Sequence, residues 1–202
     1  MVVDASRAHT EQGAPVVRVA RAGFSLLEIM TTLVIAGVIL GWAFIKLDPR
    51  RNQADAGILV VKTVMQQAMR NAVQRQHDVL VSFDVPNNRI RYAEDANNNG
   101  IVDPGERALW RPLENQTKFS TPAALIAGAY SPAAVVGGRL RTVDTYPTVV
   151  ARRGGSLSSD LQVFVTSLRG ARDDFRAVAV TQPTGRVETY TYAGAIWAVM
   201  NR

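Results

Sequence analysis

Apolar residues gather at one place in this chain. Between Phe24 and Leu47 the one acid is Glu28, and from Ile29 to Ile45 no charge interrupts the run. Wound as a helix, Phe24 to Leu47 would extend roughly 36 Å against a hydrocarbon core of about 30 Å, so the segment is predicted to span a bilayer. Its β-branched residues, Val34, Ile35 and Val38 among them, lower helix propensity in water. In lipid, however, a lone segment must close its own backbone hydrogen bonds, and helix is the solution open to it. A core helix of one small domain rarely stays apolar on every side for this length. The run is also longer than the apolar region of a secretory signal, and Lys46, Leu47, Asp48 and Pro49 follow it where such a signal has a small-residue cleavage site. Arg18 and Arg21 precede it and Lys46, Arg50 and Arg51 follow, so flanking charge does not orient the span.

Beyond Pro49, a predicted break or kink, the pattern changes. Ile58, Val61, Met65, Ala68, Met69, Ala72 and Val73 recur at helical spacing, with Lys62, Gln66, Arg70 and Arg75 elsewhere around the wheel, which predicts an amphipathic helix over 52–77. From Val79 to Val85 apolar and polar residues alternate, Pro86-Asn87-Asn88 turns the chain, and Arg89 to Tyr92 returns it as a hairpin. Further strands are predicted at 118–120, 146–151, 161–166, 175–181 and 186–192, parted by turn signals such as Arg153-Gly154-Gly155-Ser156 and Pro183-Thr184-Gly185. A long hydrophobic helix, an amphipathic helix and a β-rich stretch over 79–192 make an α+β fold, with helix packed on antiparallel sheet. Residues 107–148 match no usable pattern and read as a candidate insertion.

Composition narrows the chemistry. The 202 residues are 47% apolar and 20% charged, the balance of a folded chain of one or two domains. There is no cysteine, which excludes disulfides, thiolate metal sites and thiol nucleophiles. Lys plus Arg outnumber Asp plus Glu by 23 to 17, a net +6 that permits nucleic acid or phospholipid headgroups as partners without choosing between them.

Glu28 is the anomaly, because an ionised side chain costs about 2.5–3.5 kcal/mol at mid-membrane and less toward the interface. The residues before it, Arg21-Ala22-Gly23-Phe24-Ser25-Leu26-Leu27-Glu28, resemble the type IV prepilin motif: Gly, an apolar residue, three more positions, Glu, then the hydrophobic helix. The resemblance implies cleavage by prepilin peptidase between Gly23 and Phe24 on the cytoplasmic side, and N-methylation of Phe24. It divides the chain into a leader, 1–23, a transmembrane and filament-core helix, 24–48, and a periplasmic globular domain, 49–202. It also implies a single-pass protein of the bacterial inner membrane that joins other pilins or pseudopilins in a filament, where Glu28 meets the new terminal amine of a neighbouring subunit. The physics agrees, since a carboxylate in low dielectric is tolerated when a cation neutralises it.

The carboxyl-terminal half, through Gly154-Gly155-Ser156 before Leu161 to Val165, then Arg176 to Val180 and Pro183 to Val187, resembles the GspH/FimT group of pseudopilins and minor pilins. This implies a pilin-like fold and a structural minor subunit of a type II secretion pseudopilus. The alternative it leaves open is a minor type IV pilin aiding pilus assembly, adhesion or DNA uptake.

Two further patterns are chemical candidates. Asp95 to Glu106 matches the twelve-position calcium loop of an EF-hand: oxygens from Asp95, Asn97, Asn99, the Ile101 carbonyl, Asp103 and bidentate Glu106, with Gly100 at the sharp turn. A strand enters it and Pro104 interrupts its end, so a lone loop, stiffened by calcium, is expected in place of a helix–loop–helix pair; an Asn/Gly-rich turn without metal is the bland alternative. Arg152, Arg153, Arg172, Arg176 and Arg186 are candidate nucleic-acid contacts if one face gathers them. The acid in Gly185-Arg186-Val187-Glu188 counts against that. His77 reads as an ordinary helical surface residue and Asp173-Asp174 as a charged turn, so no catalytic residue is expected.

Overall fold

The computed structural model describes residues 24–46, 49–113, 116–122, 134–193 and 196–200, and for 43–46 and 49–51 the backbone alone. The chain forms two units, residues 1–47 and 48–202. In the first, α1 runs Leu26–Lys46. Ser25 caps it: the N–H of Glu28 donates to Ser25 Oγ at 3.2 Å. Thr31 and Thr32 donate their hydroxyls to the carbonyls of Glu28 and Ile29, so neither polar group is left unbonded within the apolar rod.

The second unit begins with α2, Pro49–Arg75. Pro49 starts this helix, where its missing N–H has no partner to lose. The periodicity of the sequence is realised as a buried stripe of Ile58, Val61, Met65, Ala68 and Ala72. Val73, expected on the same face, is 44% exposed, and His77 lies beyond the end of α2 in a bend.

Eleven strands follow among the described residues, all paired antiparallel. β1 (Asp78–Asp84), β2 (Arg89–Asp95), β3 (Ala108–Pro112), β6 (Arg141–Val143) and β7 (Tyr146–Ala151) form one sheet, ordered β3-β2-β1-β7-β6. β4 (Thr117–Phe119), β8 (Leu161–Ser167), β9 (Arg176–Val180), β10 (Val187–Ala193) and β11 (Ile196–Val199) form the other, ordered β11-β10-β9-β8-β4, and β5 (Val135–Gly137) also pairs with β8. The stripe of α2 packs with the inner faces of both sheets: Val79, Val81 and Phe83 from one, Val163, Val165 and Val178 from the other. Fully burying such side chains contributes about 1.5–3 kcal/mol each before chain entropy is charged.

The α+β expectation therefore holds, but the expected insertion at 107–148 does not. β3 and β6 form the two edges of the first sheet, and β4 and β5 pair with β8 in the second. Asp173-Asp174 lies in a charged turn, as expected, with Asp173 exposed and Asp174 turned inward. Arg172–Asp174 is a single 3-10 turn, and Asp174 is fully buried.

Candidate functional site

Gly23 and the leader 1–23 lie outside the described residues. Phe24 is 78% exposed, and the large apolar side chains of α1 from Leu26 to Trp42 are exposed as well. Among the described residues no helix is long and apolar enough to cross a membrane. The side chains of α1 are described through Trp42, roughly 25 Å from Leu26 and short of a core of about 30 Å. A rod of this kind leaves its apolar area to lipid or to other chains. Glu28 stands three residues after the capping Ser25, the spacing of a capping box. The capping role of Ser25 was legible in the sequence as a Ser three residues before an acid and is distinct from the prepilin pattern.

The Asp95–Glu106 loop leaves the end of β2 and returns at β3. Asp95 is 1% exposed, and its carboxylate accepts the N–H groups of Asn99 and Gly100 at 3.0 and 2.7 Å. The side-chain amides of Asn97 and Asn99 both reach Asp103 Oδ2, at 2.8 and 2.6 Å. Glu106 accepts the N–H groups of Ala96 and Asp103. Gly100 holds φ at +82°, which glycine adopts without strain, and its carbonyl accepts a bond from Arg141. Val102 packs on Leu80, Ala93 and Val150, so the loop roofs a small apolar cluster on the outer face of the first sheet.

Among the described residues no three His, Asp or Glu side chains gather closely enough to hold a metal ion. The donor chemistry nevertheless suits a hard cation: carboxylate, amide and carbonyl oxygens, with no nitrogen or sulfur ligand. One observation goes further. Asp95 pairs across the sheet with Asp78, like charge opposite like charge, and among the described residues Asp95 makes no ion pair. A buried carboxylate in that position is normally neutralised by a cation.

The structure divides the candidate arginines. Arg152 and Arg153 are exposed on the turn after β7, and exposed Arg186 pairs with Glu188 at 2.7 Å. Gly185 lies against Met69, and Gly155 lies against Val73, so these turns meet the last part of α2. Arg172 is exposed on the 3-10 turn. Arg176 is 4% exposed, bonded through Nε to Asp55 at 2.5 Å and through Nη1 to the carbonyls of Asp173 and Phe175. It is withdrawn from the surface and is corrected from a nucleic-acid contact to a structural cation. Asp55 and Met69 stand roughly 21 Å apart along α2, so one face does not collect all five arginines.

Sequence reasoning also missed a set of buried polar groups. Burial alone would raise the Asp174 carboxyl, but hydrogen bonds from Arg169 and Ser167 outweigh it and hold the pKa below the ordinary carboxylate value. The same balance, with Asn87 and Arg89 as donors, lowers that of Asp84. Arg89 also stacks over Trp110 at 4.2 Å, and Trp110 meets Tyr146 edge-on. His77 is 14% exposed at its side chain, with Nε2 3.8 Å from Glu94. The contacts of Asp84 and Asp174 lie within seven residues of each other in the chain, but the burial that gives them their weight, and the meetings of Trp110 with Arg89 and Tyr146, depend on the fold.

The described residues thus comprise a capped, exposed apolar helix and an α+β unit of two antiparallel sheets. Residues 18–44 match the family described as Prokaryotic N-terminal methylation motif. No curated protein matches the chain. Two solved structures of the minor pseudopilin EpsH from the Type 2 Secretion System of Vibrio cholerae are similar in part. One has 11% identity and a TM-score of 0.44, covering 67% of this chain and 97% of that one. The other has 12% identity and the same TM-score, covering 72% and 96%.

Proposed function

We propose that this chain is a minor pseudopilin, a non-enzymatic structural subunit of a type II secretion pseudopilus. The observation that carries the reading is the methylation motif over 18–44, placed directly on an apolar helix whose side chains are exposed. Prepilin peptidase cuts between Gly23 and Phe24, and the Phe24 amine is methylated. The span from Phe24 holds the subunit in the inner membrane, with residues 49–202 in the periplasm, until assembly transfers it into a filament of pilin-like neighbours. There the Glu28 carboxylate meets the Phe24 amine of an adjoining copy, which offsets the cost of placing that acid among apolar surfaces. Deleting the gene in the native host is expected to stop secretion of the exported enzymes while leaving their synthesis intact. Unchanged secretion overturns the assignment to type II secretion.

A second reading, a minor type IV pilin that aids DNA uptake, is favoured by the exposed Arg152, Arg153 and Arg186 on neighbouring turns. It predicts binding to DNA that weakens steeply with salt and is lost when these three are replaced by Ala. In either setting we read the Asp95–Glu106 loop as a calcium site. Asp95, Asn97, Asn99, the Ile101 carbonyl, Asp103 and Glu106 would hold the ion, and the ion would supply the charge that buried Asp95 lacks.

A further inference from the structure

Asn99-Gly100 is the one Asn-Gly pair in the sequence. Glycine has no Cβ to shield the nitrogen that follows the asparagine, so the Asn99 side chain is open to attack by its own backbone. Asn99 is exposed, and three hydrogen bonds arrange the atoms such an attack uses. The N–H of Gly100, the nucleophile, donates to Asp95 Oδ2 at 2.7 Å. Asn99 Oδ1, on the carbon to be attacked, accepts the N–H of Ile101 at 2.9 Å, a turn that folds the side chain along the Asn99–Gly100 peptide. Asn99 Nδ2, the leaving group, donates to Asp103 Oδ2 at 2.6 Å. Asn97 supplies a comparison within the same loop. Its Oδ1 accepts the N–H two residues on, and its amide reaches the same Asp103 oxygen. The residue after it, however, is Asn98, which carries a side chain and donates its N–H to the Asp95 main-chain carbonyl at 3.3 Å, a weaker acceptor than a carboxylate.

We propose that Asn99-Gly100 is a self-deamidation site, at which the folded loop converts Asn99 to an aspartyl or isoaspartyl residue and releases ammonia. Asp95 draws the proton of the Gly100 N–H, and the nitrogen forms a bond to Asn99 Cγ. The negative charge that collects on Oδ1 is met by the Ile101 N–H. The bond from Cγ to Nδ2 then breaks, the amide leaves as ammonia with the proton taken from Gly100, and a five-membered succinimide remains. One water opens that ring at either carbonyl, so asparagine and water together give an α- or β-linked aspartate and ammonia, which takes up the proton of the new carboxyl. Nothing is oxidised or reduced, and water is the one co-reactant. The converted chain carries an extra negative charge where Asp103 Oδ2 now accepts the Asn99 amide, so carboxylate faces carboxylate in a loop that was neutralised there by a donor. The inference is independent of any ion at the loop.

The test is timed incubation of the full chain in detergent at neutral pH with EDTA, beside a synthetic peptide of residues 95–106 that has the same local sequence without the fold. Digestion and mass spectrometry then read the exchange of amide for carboxyl at each asparagine, and enzymatic methylation reads the isoaspartyl linkage. Position 99 is expected to convert about tenfold faster in the folded chain than in the peptide, a fraction of what a placed base and an oxyanion donor supply. Asn97 is expected to stay intact over the same time. Asp95→Asn, which leaves an acceptor for the Gly100 N–H but removes the base, is expected to bring position 99 down to the rate of the peptide. Slower conversion in the folded chain than in the peptide means that the three hydrogen bonds protect the side chain, and overturns the proposal. Conversion of Asn97 as fast as Asn99 overturns the roles given to Gly100 and Asp95. An Asp95→Asn chain that converts like the wild type overturns the role of the base.

Discussion

Asp55 offers the sharpest test of how the domain is held together. It sits on α2 and faces Arg176 on β9, whose guanidinium side chain is 5% exposed while the Asp55 side chain is 23% exposed. Asp55→Ala therefore leaves a buried cation without its ion-pair partner, with the Asp173 and Phe175 carbonyls and the field of the nearby Asp174 carboxylate remaining. Breaking a buried pair in this manner costs about 3–5 kcal/mol, and at an effective dielectric of 20 two charges 4 Å apart lose about 4 kcal/mol of attraction, so the two routes agree. Asp55→Asn keeps an oxygen for Nε and is expected to cost about 1–2 kcal/mol. For a domain of this size the Ala variant should lower Tm by roughly 10 °C and the Asn variant by roughly 4 °C. Urea unfolding followed by tryptophan fluorescence measures both. Equal losses for Ala and Asn, or an Ala loss below about 1 kcal/mol, would refute the argument that a stranded guanidinium sets the cost.

Three shorter tests follow from the same geometry. Arg152→Ala and Arg153→Ala should each leave stability within about 0.5 kcal/mol of wild type, whereas Arg176→Ala should unfold far more easily, so a loss of anion binding in the last variant alone would report unfolding and not contact. Asp174 and Asp84 have pKa values lowered by folding, so the native state binds fewer protons than the unfolded chain. Their stabilisation is complete above the unfolded value of about 3.9 and is lost as pH falls through the lower folded values; urea midpoints should be level from neutral to about pH 5 and drop below about pH 4, with a shallower drop in Asp174→Asn. Thr145, a β-branched residue at φ +73° in the hairpin between β6 and β7, should be replaced by Gly with a gain of about 1 kcal/mol, read as a higher urea midpoint; a loss would mean the turn is not strained.

Much of the fold was legible because its long elements carry strong periods. The helical stripe of α2 and the alternation in β2 and β10 repeat enough times to outweigh local noise, and β1 and β8 carry the β-branched apolar runs of strands buried on both faces. β5 and β6 are three residues long, too short for any period, and β3 reads Ala-Leu-Trp-Arg-Pro at an exposed edge, with no apolar face to betray it. The candidate site divides in the same manner. The motif around Glu28 and the calcium-type loop are local in sequence, so they were visible before the fold was known. Arg176 looked like a surface arginine because its partner Asp55 is 121 positions away, and the meeting of Asp78 with Asp95 appears only once β1 and β2 are in register.

The central claim is that proteolysis before the apolar helix creates the amine that Glu28 neutralises in a neighbouring subunit. Mass spectrometry of the chain purified from its native host tests it most directly. The account predicts a mature protein beginning at Phe24 with a methylated amine, and an unprocessed chain when Gly23 is replaced by Ala. Recovery of the wild-type protein with residues 1–23 still attached would contradict it.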